Sequence, residues 1–359
     1  MDSFVTSIAA FLPVLMVLVL VHELGHFVTA KIAGVVVQEF GFGYPPRLFA
    51  VRWKGTDYSI NLLPLGGFVK LLGEEDPSET GSLASKGIPT RLIILSAGSL
   101  MNALLPVLLF TATYMIPKDM PVGPVEIMQV LPGSPAEQAG FQTGDRVTKI
   151  NDRQIQNIGD VSLSIQLNLG SEMDVYLQRG DQQVNTRVSP RWNPPPNQGA
   201  TGILITMPEG ETEIVKRSHP IWEALPLGAR NTADMLTLFK NGILGLFSER
   251  EGGGSLEVTG PIGIARMTGE VAQQGFVTLL EWTALLSINL AILNMLPIPM
   301  LDGGRAFFVL LEGIRGGKRI PPEREGLVHL AGFILLMIMI VIVSYNDILK
   351  IVNGENLIP

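Results

Sequence analysis

A strongly apolar stretch, Phe11 to Val21, runs straight into His22-Glu23-Leu24-Gly25-His26. Such a run has to be buried, either in a large core or in lipid, and as a helix it carries the next turns with it. Two histidines four apart on a helix point the same way, so both imidazoles can hold one Zn2+. The glutamate beside the first can serve as general base toward water. If the stretch lies in a bilayer, the motif lies at membrane depth, where ionisable groups are costly and usually functional. The competing reading makes His22 and His26 satisfied core histidines on a buried helix. The chemistry expected is hydrolysis of a peptide bond inside a membrane.

Composition narrows the class. The chain is 47% hydrophobic with only 16% charged residues, and its mean hydropathy is +0.33, which favours an integral membrane protein. There is no cysteine, so disulfides and thiolate ligands are excluded and any metal must use histidine and carboxylates. The net charge of −7 argues against a nucleic-acid partner. The length allows two or three domains.

Four stretches can span a bilayer: Phe4 to Ala33, Leu92 to Ile116, Phe276 to Leu296 and Leu327 to Val343. The first has no basic residue ahead of its apolar core, unlike a signal peptide. Pro106 falls inside the second, which membrane helices tolerate. Arg47, Arg52, Lys54, Lys70 and Lys86 lie between the first two stretches, and Arg315, Lys318, Arg319 and Arg324 between the last two. The positive-inside rule puts both connections in the cytoplasm and both termini outside. Residues 118–274 then fall outside, and the metal motif lies toward the cytoplasmic end of the first helix.

Between the first two spans, Arg47 to Trp53 and Tyr58 to Leu63 flank Lys54-Gly-Thr-Asp57, a hairpin pattern. Apolar sequence continues through Leu65-Gly-Gly-Phe-Val-Lys-Leu-Leu72. The segment 41–72 is too short and broken to span, and at membrane depth such backbone needs protein or water cover. It reads as a re-entrant hairpin against the site, the alternative being a small cytoplasmic hairpin away from it.

The outer part opens with Pro121-Val-Gly-Pro-Val-Glu-Ile127. Ser134-Pro-Ala-Glu-Gln-Ala-Gly140 and Gly144-Asp145-Arg146 follow. This pattern of strand, short helix, glycine turn and strand closely resembles a bacterial PDZ domain over about 121–191. Ile158 to Leu169 would be its groove helix and Met173 to Gln178 a strand. Such domains take extended peptides on an open sheet edge, and in a permuted arrangement Val122 to Ile127 would form the end of the groove. A PDZ fold serving only as a steric filter is the other reading. Arg191 to Gln198 is a proline-rich linker. Ile221 to Phe247 has apolar residues at helical spacing, suited to a membrane surface or to packing under the PDZ domain. Gly252-Gly-Gly-Ser255 is a flexible break.

A zinc protease needs a third protein ligand and an open position. His219 falls on the outer side, away from the motif. His329 starts the last span, where a capping or interface role suits it better. Asp302 is the stronger candidate. It follows Pro297 and Pro299, which interrupt the third span in Asn294-Met-Leu-Pro-Ile-Pro-Met-Leu-Asp302-Gly-Gly304, and unwound backbone there can face a polar cavity. An aspartate so placed needs a countercharge, which a metal ion supplies. Its alternative role is as a cap for the helix that follows.

These residues together resemble the site-2 protease family of intramembrane zinc metalloproteases in its bacterial single-PDZ form. The likeness rests on His22-Glu-Leu-Gly-His26, Gly41-Phe-Gly43 with its hairpin, the PDZ insert, Gly260-Pro-Ile-Gly263 and Asn294 to Gly303. The one departure is Ser99 after Ala97-Gly98, where the family usually has proline; Asn102 is still present. The resemblance implies that His22, His26 and Asp302 bind zinc and that Glu23 is the general base. Asn294 would hold substrate backbone, Asn102 would help, and Gly41, Phe42 and Gly43 would line the substrate's path. It implies single-pass membrane substrates, typically trimmed anti-sigma factors or remnant signal peptides, cut in regulated intramembrane proteolysis. It also implies a bacterial cytoplasmic membrane and a peptide or substrate C-terminus at the PDZ domain.

The expected fold is a polytopic α-helical membrane protein with about four transmembrane helices, a membrane-associated β-hairpin and an inserted β-rich outer domain. Its parts are a membrane core over 1–117, the PDZ domain over 118–192, a linker and amphipathic region over 193–274 and a second membrane core over 275–359. Two rivals are a catalytically silent scaffold presenting the PDZ domain and a transporter with a metal site. A silent homologue is expected to lose Glu23 or Asp302, and both remain. A transporter needs polar residues along several helices, and the last span is nearly all aliphatic.

Overall fold

A computed structural model describes residues 2–74, 78–195, 198–247 and 259–353. The chain forms two compact units, Met1–Thr113 with Glu257–Pro359, and Tyr114–Leu256.

The first unit opens with helix α1, Asp2–Ile32, which runs unbroken through the metal motif. Strands β1, Val37–Trp53, and β2, Thr56–Leu71, follow. Their two-residue turn, Lys54-Gly55, has positive φ at both positions, 48° and 80°, the backbone that matches the twist of a tight hairpin. The pairing is more than a ladder. Phe40 of β1 pairs with Val69 on one side and with Tyr58 on the other, and Phe42 likewise with Gly67 and Ile60. The start of β1 is therefore interior, and the end of β2 forms an edge. Helix α2, Ile88–Met115, comes next and contains Pro106.

The second unit is built on a sheet. Its elements are β3, Lys118–Val122; β4, Val125–Val130; α3, Pro135–Gln138; β5, Arg146–Ile150; β6, Arg153–Gln154; α4, Ile158–Leu167; β7, Met173–Arg179; β8, Gln182–Val188; β9, Ile203–Thr206; β10, Glu213–Arg217; and α5, Ile221–Phe247. The main sheet runs β8-β7-β5-β4-β9, with β6 beside β5, while β3 and β10 form a separate ribbon. Val125, Ile127, Val147, Val161, Val175 and Leu177 fill its core. Ser134 caps α3 by accepting from the Glu137 amide. Asp145 is fully buried and accepts from Arg179 and from the Gln142 amide. The Gly144-Asp145-Arg146 signature is thus a structural clasp between turn and strand.

One sequence expectation changes here. Val125–Val130 lies inside the sheet between β5 and β9, and β8 and β9 are its terminal strands. The sheet extends beyond 192, because Ile203–Thr206 pairs with β4 after the proline-rich turn. Helix α5 packs on α4. Asn241 Nδ2 donates to the Gln166 carbonyl at 2.8 Å, and Asp234 pairs with Arg153. Ile221, Trp222, Leu225 and Leu236 of α5 are exposed. The Gly252–Ser255 break lies outside the described residues.

The first unit resumes with α6, Pro261–Gln273; α7, Phe276–Met295; α8, Asp302–Ile314; and α9, Pro322–Val352. The sequence reading had α6 within a linking region. Its free N-terminal amides are met by Asp347 of α9, which accepts from Gly263 at 2.8 Å and Gly260 at 3.2 Å. This satisfies a carboxylate that an apolar helix would otherwise not carry. Among the described residues, four helices are long and apolar enough to cross a membrane: Val5–Ile32, Ile88–Met115, Phe276–Met295 and Pro322–Val352. They match the four stretches expected from sequence.

Candidate active site

Helix α1 sets His22 and His26 on one face, and both are buried. The third group comes from 280 residues away. Pro297 and Pro299 have no amide hydrogen to continue α7, so that helix stops at Met295 and α8 begins at Asp302. Gly303 and Gly304 make the restart possible. A Cβ on them would stand 2.2 Å from the Leu296 carbonyl oxygen and 2.3 Å from that of Ile298. Met300 holds the left-handed backbone at φ 80°, and its amide donates to His329 Nδ1 at 2.9 Å. His329 therefore fastens the loop that presents Asp302.

The three side chains converge. Asp302 Oδ2 lies 2.9 Å from His22 Nε2 and 3.1 Å from His26 Nε2, and the two Nε2 atoms are 3.2 Å apart. Among the described residues this is the one cluster of three groups placed to hold a metal ion. Zinc bonds of about 2.0–2.1 Å in a tetrahedron put neighbouring ligand atoms about 3.3 Å apart, so the donor set fits zinc. Burial works against the charge on Asp302, but hydrogen bonds with His22 and His26 outweigh it and hold the carboxyl well below the usual carboxylate range. The carboxyl is thereby kept in its charged form.

Glu23 stands one residue around the helix, with its side chain beside Gly67 of β2. His26 Nδ1 donates to the Ile94 carbonyl of α2 at 2.8 Å. Asn102, also on α2, is fully buried, with Nδ2 3.4 Å from His22 Nδ1.

The remaining sequence candidates are not all brought to this point. Asn294 sits half-buried in the last turn of α7. Gly41, Phe42 and Gly43 lie in the interior part of β1, where Gly41 and Phe42 are paired on both sides. His219 belongs to the other unit and pairs with Glu223 at 3.0 Å. The sequence reading did not find the Ile94 carbonyl, because a backbone group leaves no mark in residue type.

The model of peptidase family M50 matches residues 10–339. The chain belongs to that family. It is a membrane zinc metalloprotease of the site-2 protease type. Three relatives show how far the M50 likeness extends. A Clostridium perfringens protein is 34% identical over 92% of this chain and 95% of its own length. Zinc metalloprotease RasP of Oceanobacillus iheyensis is 31% identical over 96% and 99%. The regulator of sigma-W protease RasP of Bacillus subtilis is 28% identical over 97% and 99%.

Proposed function

We propose that this M50 peptidase hydrolyses peptide bonds within the transmembrane segments of single-pass membrane proteins, with His22, His26 and Asp302 as zinc ligands and Glu23 as general base. The observation that carries the reading is the meeting of two histidines on a membrane-length helix with an aspartate from a distant broken helix, at 2.9–3.2 Å. His22, His26 and Asp302 would hold zinc, which would supply a lowered pKa for the attacking water and polarisation of the scissile carbonyl. Glu23 takes the proton from the attacking water and later delivers it to the leaving amine.

A substrate helix shields its own peptide bonds and must unwind before it can be cut. The edge formed by the end of β2 runs beside Glu23 and suits pairing with an unwound segment as an added strand. Asn294, by the family resemblance, holds substrate backbone, and the Gly41-Phe42-Gly43 stretch shapes the sheet that forms that edge. The distribution of basic residues supports a multi-pass protein of the bacterial cytoplasmic membrane. Both termini and residues 114–256 then lie outside and the site toward the cytoplasm. Residues 121–206 act as a PDZ domain, with the terminal strand β9 and helix α4 flanking the peptide groove. Trimmed anti-sigma factors and remnant signal peptides are the substrates implied by the resemblance, in line with the name of the Bacillus subtilis relative.

The test is cleavage of a model single-pass substrate, its outer domain already removed, by purified wild type and Glu23→Gln in detergent, with zinc quantified in both. Cleavage within the membrane segment by wild type alone, at equal zinc content, supports the reading. Failure of fully zinc-loaded wild type to cut several trimmed substrates overturns it.

A further inference from the structure

The metal motif lies on α1, but the groups behind its imidazoles come from α2. Residues 94, 98 and 102 recur every fourth position, so they form one stripe of that helix. Ile94 offers its carbonyl to His26 Nδ1 at 2.8 Å. Gly98 provides the gap into which both rings fit. A Cβ there would lie 2.3 Å from His26 Nε2 and 2.7 Å from His22 Nε2, closer than any side chain can approach. Asn102 lies beneath His22 and has no exposed surface. Its own carbonyl accepts from Ser287 Oγ of α7 at 2.7 Å, which ties this turn of α2 to a neighbouring helix.

One detail is chemically unbalanced. Asn102 Nδ2 faces His22 Nδ1 at 3.4 Å, while Oδ1 is buried with no partner among the described residues. A histidine that binds a metal through Nε2 is neutral and carries its proton on Nδ1, so it needs an acceptor there. A half-turn of the amide exchanges the two atoms without moving anything else. Oδ1 then accepts from Nδ1–H, and the orphaned oxygen and the imidazole satisfy each other. His26 already has the same arrangement with Ile94.

We propose that Asn102 is a positioning residue for His22, accepting a hydrogen bond from Nδ1–H and so fixing the tautomer and the ring plane that present Nε2 to the metal. This rests on the zinc site proposed above, and it moves Asn102 from contact with substrate to support of a ligand. Its buried side chain is taken up by His22 and is not presented to a peptide. The stripe Ile94-Gly98-Asn102 becomes a socket in which a carbonyl, a missing side chain and an amide each serve the two imidazoles.

The experiment measures zinc affinity of the full-length protein in detergent by competition with a chromogenic chelator, for wild type, His22→Phe, Asn102→Leu and Asn102→Asp. KM for a trimmed substrate is measured on zinc-saturated wild type and on the two Asn102 variants. Asn102→Leu keeps volume but removes the acceptor, and it is expected to weaken zinc binding about 10- to 100-fold with KM unchanged. Asn102→Asp keeps an acceptor in the same place and is expected to hold zinc at least as tightly as wild type. A general packing role would not be rescued by aspartate. Wild-type zinc affinity in Asn102→Leu while His22→Phe has lost its metal overturns the Asn102 assignment alone. A raised KM with unchanged affinity does the same and returns Asn102 to the substrate. Loss of zinc in Asn102→Asp equal to that in Asn102→Leu also overturns it. Full zinc retention in His22→Phe overturns the site itself, and the Asn102 assignment with it.

Discussion

Adjacent residues on α1 do different work because successive side chains diverge around a helix. His22 and His26 share a face and meet Asp302, while Glu23 lies beside Gly67 of β2. If His22, His26 and Asp302 hold zinc and Glu23 is the base, as proposed, removing a ligand and removing the base have separable effects. His22→Phe, His26→Phe and Asp302→Ala are each expected to lower the zinc content of the purified protein, measured by atomic emission; undiminished cleavage in Asp302→Ala would sink its assignment as a ligand. Glu23→Gln is expected to keep wild-type zinc and lose about 10²- to 10⁴-fold in cleavage rate. The His-Glu-His spacing was legible from periodicity alone. Asp302 was legible because prolines break a span just before it and a carboxylate at such a break needs a countercharge. The Ile94 carbonyl and the Met300–His329 contact were not, since they depend on where distant backbone arrives.

Elements are placed by contacts that sequence patterns do not encode. Arg91 of α2 and Glu312 of α8 form a buried ion pair at 2.7 Å. Arg319 joins the same carboxylate at 3.3 Å and reaches the Ala84 carbonyl. This group sets the helix that begins with Asp302 against the helix that supports the histidines. Breaking a buried pair leaves an uncompensated charge, so Glu312→Ala is expected to cost roughly 3–5 kcal/mol in denaturant unfolding in detergent, and to lower zinc affinity as α8 loosens. The double variant Arg91→Met, Glu312→Leu should recover most of the stability; equal loss in the double variant would mean that the pair is not what holds α8. Gly98→Ala tests the socket from the other side. The methyl cannot fit between the rings, so zinc should be lost while helix content by circular dichroism stays unchanged. The hairpin turn at Lys54-Gly55 was legible, but the double pairing of β1 was not, because alternation cannot say that one stretch has two neighbours. Helix α6 escaped notice because its partner cap, Asp347, is 84 residues distant from Gly263. Strand β9 escaped because four residues behind a proline-rich turn carry too little pattern.

At the scale of the whole molecule, the bilayer is the strongest constraint and was the easiest to read. About twenty apolar residues are needed to cross it as a helix, and all four expected stretches are helices of that kind. Orientation rests on a different property, the placement of lysine and arginine, which costs little in any folded protein but biases insertion. The absence of cysteine makes that orientation directly measurable, since each introduced thiol is the only one in the chain. Gln183, near the start of β8, and Lys318, between α8 and α9, are both exposed. Treated with a membrane-impermeant maleimide in intact spheroplasts, Gln183→Cys is expected to label and Lys318→Cys to label only after permeabilisation. The reverse pattern would place the second unit in the cytoplasm, away from any protein trimmed on the outer side. The zinc chemistry would survive that result, because it depends on side chains within the first unit. Selection of trimmed membrane proteins by the β-rich unit would not, because it requires that unit to meet the substrate where the first cut is made.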